Sequence, residues 1–220
     1  MSNPTDLRSR KRLAMRQGIS NAATQLFQER GFDHVTVDDI AAAADVGRMT
    51  VFNHFPRKED MFFDREEEGR EVLREALRQR DPGISAIETL RLLAHRLVAE
   101  ESPYVRFDAA ARGFISAGSQ GFIETIEGSE TLKARARAIR DEIAHVVAVA
   151  LAESVKREPG DPDAELAAGL LLATWTVALI QAHLCFRQKQ DADEAKAIFL
   201  ALVDKGSTGI QAALAGTPYA

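Results

Sequence analysis

A single cysteine in 220 residues excludes an internal disulfide framework. Only 7 prolines and 14 glycines are present, so few positions force the backbone out of a helix. No uninterrupted apolar run reaches the roughly 18–20 residues of a membrane-spanning helix. The most apolar stretch, residues 167–184, is broken by Gly169, Thr174, Thr176, Gln181 and His183. The opening MSNPTDLRSRKRLAMRQG lacks the apolar centre of a secretory signal. These absences give the expectation of a cytoplasmic chain with no membrane partner. Nucleophile elbows, phosphate loops and paired metal spacings are missing too, which argues against an enzyme. His183 and Cys185 stand two apart on a helical segment and point away from each other. No cofactor or metal is expected.

What is present favours helix. The chain is 45% hydrophobic and 28% charged, a globular composition rich in Ala, Leu, Glu and Arg. Net charge is −5, yet Lys and Arg outnumber Asp and Glu in residues 1–58. The remainder is therefore strongly acidic. A basic module joined to an acidic body is one reading of that asymmetry; chance clustering of surface charge is the other.

Ile19, Ala22, Ala23, Leu26 and Phe27 recur at helical spacing, which predicts a first helix from about residue 8 to a stop at Gly31. Thr36 and Asp39 stand at capping-box spacing before a second, short helix. Asp45-Val46-Gly47 breaks it, and a third runs from about Arg48 to Phe55 before Pro56. A fourth is expected over about 57–80, carrying the charged run Asp64–Glu71 as a solvated face of offset acid–base pairs. Further helices are expected over about 85–101, from Tyr104 into the glycine-rich 113–122, then over 130–156, 163–188 and 192–214. That makes an all-α chain of about nine helices. In the eighth, Leu166, Leu170, Ala173, Val177, Ile180 and Leu184 form one apolar seam. Leu171, Trp175, Ala178, Ala182 and Cys185 form the opposite one. A helix apolar on both sides needs cover on both. A second copy packed on the last two helices supplies it, and so does a central place in a monomeric bundle.

Two short helices joined by a tight turn are the helix-turn-helix arrangement, whose second helix enters the DNA major groove. Val46, Val51, Phe52 and Phe55 would make its small core and leave Arg48, Met49, Thr50, Asn53 and His54 outward. Arg48 can pair with guanine, Thr50 can meet a base or a thymine methyl, and Asn53 and His54 can reach bases or phosphates. Lys58 suits a phosphate. "QLFQERGFDHVTVDDIAAAADV" followed by "TVFNHFPRKEDMF" resembles the DNA-binding domain of the tetracycline-repressor (TetR) family of bacterial regulators over residues 10–62. The chain departs from the family's usual pattern at Asp45, where glycine is common, at Gly47, where serine often caps, and at Phe52, where tyrosine is common. Phe52 has no hydroxyl to offer a phosphate.

The resemblance implies a DNA-binding domain over 8–56 and a ligand-binding and dimerisation domain over 57–217. It makes Thr36 a phosphate contact as well as a cap. It further implies a homodimer on a palindromic double-stranded operator, most simply a repressor released by a small-molecule effector, with the fourth helix as lever. Activation in place of repression remains open. For the effector pocket the candidates are His95, Tyr104, Phe107, Arg112, Phe114, Phe122, Trp175 and His183, chosen as aromatic or polar groups on apolar stretches. A helical protein-interaction module is the competing class; it would need neither the basic N-terminal excess nor outward Arg48, Thr50 and His54.

Overall fold

The computed structural model describes residues 4–64, 66–107 and 120–220. Among them are ten α-helices, one 3-10 turn and no strand. Helix α1 runs Pro4–Arg30, and a 3-10 turn spans Phe32–His34. There follow α2 Val37–Ala43, α3 Arg48–His54, α4 Glu59–Phe62, α5 Glu66–Arg78, α6 Ala86–Ala99, α7 Gln120–Glu127, α8 Glu130–Ser154, α9 Pro162–Lys189 and α10 Ala192–Ala213.

Local chemistry sets most of the boundaries. Gly31 ends α1 at φ +80, a backbone region closed to most side chains. Thr36 and Asp39 form the capping box at α2, with the Thr36 side chain accepting from the Asp39 amide and Asp39 accepting from the Thr36 amide. Ser85, Ser129, Asp161 and Asp191 cap α6, α8, α9 and α10 through their side chains. Such caps satisfy amides that have no partner inside the helix.

The expected fourth helix is two helices. Met61 and Phe62 of α4 are buried among Phe27, Phe32 and Ile40, and Phe63 meets the Phe62 ring edge-on at 5.0 Å. The Ser20 hydroxyl on α1 donates to the Asp64 carboxylate and lies 3.4 Å from the Met61 carbonyl. These ties hold the chain in a turn at 63–64 before α5 begins. The charged run then behaves as expected: Arg74 pairs with Glu67 and Glu71, and Arg78 pairs with Glu71, along the exposed side of α5. Tyr104 lies in a turn after Ser102, and residues 108–119 of the helix expected from there lie outside the described residues.

Two apolar cores result. The first joins α1–α4 through Ile19, Ala23, Phe27, Phe32, Val35, Ile40, Val51, Phe55 and Phe62, so it runs past residue 56. Leu132 from α8 is fully buried in this same core. The second joins α5, α6 and α8–α10. Of the two seams expected on α9, Leu171, Ala178, Ala182 and Cys185 are buried and Trp175 is half-buried. On the other seam Leu166, Val177 and Ile180 remain 48%, 51% and 37% exposed.

Candidate nucleic-acid interface

Val51 and Phe55 are buried and seat α3 on the first core. At 100° per residue the opposite side of the helix belongs to Met49 and Asn53. Met49 is 69% exposed, and Asn53 is exposed. Arg48 and Phe52 share one shoulder, Thr50 and His54 the other. Before the helix, Asp45 takes φ +53, the left-handed turn residue that its short polar side chain tolerates. Gly47 stands at the N-cap without a side-chain hydrogen bond.

Each outward residue has a definite setting. The Arg48 guanidinium pairs with Asp38 of α2 at 2.8 Å and lies 5.5 Å from the centre of the Phe52 ring. Phe52 is half-buried and stands under Arg48. His54 is half-buried. Burial holds its imidazole below the ordinary histidine range, and the Arg12 and Arg16 charges push the same way. Arg16 donates to the His54 carbonyl and lies 3.9 Å over the Phe55 ring, fastening α1 to the end of α3.

Thr36 has the structural work expected of it, and Lys58 has work that was not expected. The Thr36 hydroxyl is engaged with Asp39, whose carboxyl is held below its usual range by the hydrogen bonds from the Thr36 side chain and backbone. Lys58 points inward: its ammonium donates to the Phe32 and Val35 carbonyls at 2.8 and 2.9 Å and sits 4.1 Å over the Phe32 ring. Burial lowers its pKa from the ordinary lysine range, although Asp33 and Glu59 push it back up. Two of its three N–H donors are thus spent on the 3-10 turn.

Sequence reasoning missed the seam that ties this domain to the larger one. The Ser129 hydroxyl donates to the Asp33 carboxylate at 2.8 Å, next to the buried Leu132. Arg135 of α8 reaches Asp60 of α4 at 3.5 Å and Glu142 at 2.9 Å, and Arg70 of α5 meets Glu142 at 2.6 Å. Burial alone would raise the Glu142 pKa, but the hydrogen bonds from Arg70 and Arg135 outweigh it and hold the carboxyl below its usual range. Only tertiary packing brings these residues together. Arg16, by contrast, shares a helical stripe with Ile19 and Ala23 and was findable by spacing.

The pocket candidates divide. Phe107, Trp175 and His183 gather near Phe199 of α10: Phe107 meets His183 at 5.2 Å and Phe199 at 6.0 Å, and Trp175 meets Phe199 at 6.1 Å. His183 also lines a cleft between α7 and α9 with Ile123, Glu127, Ile180 and Arg187. His95 belongs elsewhere, with its Nε2 2.8 Å from Asp204 of α10 and Arg91 bridging Asp204 and Glu88. The Tyr104 hydroxyl donates to the Glu68 carboxylate at 3.1 Å. Arg112, Phe114 and the side chain of Phe122 lie outside the described residues.

The arrangement defines a class: an all-α protein whose N-terminal helix-turn-helix presents an exposed second helix from an apolar core. Residues 19–64 match the family model for bacterial regulatory proteins of the tetR family. Over 128 residues it is 29% identical to the HTH-type transcriptional regulator TcmR of Streptomyces glaucescens, covering 58% of this chain and 49% of TcmR. Over 48 residues it is 44% identical to the HTH-type transcriptional repressor DhaR of Mycobacterium sp. strain GP1, covering 22% of this chain and 24% of DhaR. The chain thus spans half or less of the length of the curated relatives it matches. Among solved structures it shares its fold with GusR of Salmonella enterica (TM-score 0.52, 21% identity, 91% of this chain and 95% of that one). A tetR-family regulator of Mesorhizobium loti MAFF303099 gives TM-score 0.53 at 18% identity, over 90% and 97% of the two chains.

Proposed function

We propose that this protein is a ligand-responsive, DNA-binding transcriptional regulator that acts as a homodimer, most simply a repressor released from a palindromic operator. The observation that carries the reading is the outward face of α3, with Met49 and Asn53 at its apex and Arg48, Thr50 and His54 on its shoulders, inside a tetR-type domain. In a major groove Arg48 leaves Asp38 for a guanine edge. The exchange costs little because the pair is exposed. Asn53 reads adenine, and Met49 and Thr50 meet thymine methyls. His54 lies against the backbone. Thr36 and Lys58 hold α2 and the 3-10 turn in place, and Thr36 keeps a second role beside a phosphate.

Dimerisation is supported by the bare apolar seam of α9. By length and composition alone this helix, Pro162–Lys189, could cross a membrane. Its other side, however, is built into the second core through Ala164, Ala167, Leu171, Ala178 and Phe186. A second copy packed on Leu166, Val177 and Ile180 completes its cover.

For the effector, two buried polar groups supply the support. The Trp175 indole N–H and the Ser207 hydroxyl have no hydrogen-bond partner among the described residues, and a buried donor without an acceptor is costly. A largely apolar molecule carrying a hydrogen-bond acceptor suits such surroundings. An effector that shifts α7 against α9 would act on the first core through Ser129 and Leu132. It can change DNA affinity only by binding the two arrangements unequally. A random-sequence selection with the full-length chain tests the reading; recovery of a palindromic consensus is expected, and recovery of no consensus would overturn it.

A further inference from the structure

The stripe of α1 that faces α2–α4 changes character along its length. From Ile19 onward it is apolar and buried, through Ala23, Leu26 and Phe27. Before Ile19 the same stripe continues as Arg16, Arg12 and Arg8, at four-residue steps. Four residues are about one turn, so each arginine stands roughly 6 Å beyond the last along one side of the helix. Arg16 is fastened to the His54 carbonyl and the Phe55 ring at the end of α3. Arg12 lies close enough for its charge to act on His54. Arg8 and Arg12 are exposed. The cations therefore start at the end of the recognition helix and lead away from it, on a helical segment that precedes the matched family domain at residue 19.

We propose that the first turns of α1 form a second DNA contact, in which Arg8 and Arg12 grip backbone phosphates flanking the half-site that α3 reads. The inference rests on the DNA-reading function proposed above and adds a separate surface to it. Phosphates, rather than bases, are the target because the arginines are spaced along a straight rod and lie outside the groove-reading helix. A lipid surface would need apolar residues gathered on one face. Here Leu7 and Leu13 stand on different sides of the helix with position 10 between them. The arm would hold the dimer on its site and set its salt sensitivity without altering which bases are read.

The test compares full-length wild type with the double variant Arg8→Gln, Arg12→Gln. The probes are a duplex selected by the wild-type chain from random sequence, with native flanks, and a scrambled duplex of equal length. Glutamine keeps helix propensity close to that of arginine, and thermal unfolding of both proteins checks that the fold is unchanged. Loss of two phosphate contacts per chain should make the slope of log K against log salt shallower by about 0.9 for each contact. The preference for selected over scrambled duplex should stay the same. A control with the same charge change, Arg140→Gln with Lys205→Gln on the larger domain, should keep the wild-type slope. An unchanged slope in the double variant, or an equal change in the control, would overturn the arm while leaving α3 as reader. Failure of the wild type to select any duplex would overturn both.

Discussion

In the proposed function Arg48 is the residue on which base reading turns. Its guanidinium is already extended beside α2 by Asp38 and Phe52, so little ordering remains to be done on binding. Arg48→Ala should cost about 1–3 kcal/mol on the selected duplex and much less on scrambled DNA; competition mobility shifts read the difference. Equal losses on both would remove it as a base reader. Lys58 belongs to stability. Lys58→Met should lower unfolding free energy by about 1–3 kcal/mol in denaturant titration, because two carbonyls lose a charged donor. His54 carries a pH signature. Its folded-state pKa is depressed, so the unfolded chain binds more protons between the two values. Its contribution to stability is full above the unfolded value of about 6.5 and is lost as pH falls toward the folded one. A phosphate beside His54 would favour its charged form, so DNA binding should strengthen on acidification in wild type and respond less in His54→Gln.

At the scale of elements, α9 and α10 pack so closely that a Cβ on Gly206 would stand 2.2 Å from Thr174 Cγ2. Gly206→Ala should therefore destabilise the larger domain by about 1–3 kcal/mol. Adding Thr174→Ala should recover part of that loss, as thermal unfolding of the pair can show. Helices whose ends are set by neighbouring residues were legible in the sequence: Gly31, the Thr36–Asp39 box and Pro56 all act within a few residues of the boundary they set. The division between α4 and α5 was not legible, because it depends on Ser20 of α1 reaching Asp64. Lys58 read as a free cation for the same reason; the carbonyls that turn it inward come from the distant Phe32 and Val35. For the interface, the outward face of α3 was legible from helical spacing alone, while the Asp38 partner and the Ser129–Leu132 junction needed the fold. The three pocket candidates that do gather were drawn from α9 and the segment before residue 108, and only packing around Phe199 separates them from His95 and Tyr104.

The whole molecule depends on two junctions. One is Leu132, a residue of α8 buried in the core that α1–α4 form. Leu132→Ala should cost about 2–5 kcal/mol and loosen the two domains from each other, visible as separate unfolding transitions. The other is the exposed seam of α9. Val177→Glu with Ile180→Glu places charge where the proposed second copy packs, so sedimentation should show monomers and operator affinity should collapse. Dimers that persist in this variant would move the interface elsewhere. The measurement that tests the central claim most directly is a mobility shift of the full-length chain on its selected duplex at stated salt, with stoichiometry and scrambled competitor. Two chains per palindromic site are expected, with at least about a thousandfold preference over scrambled DNA, within the range usual for specific binders. Competition by scrambled DNA equal to that of the selected duplex would contradict it.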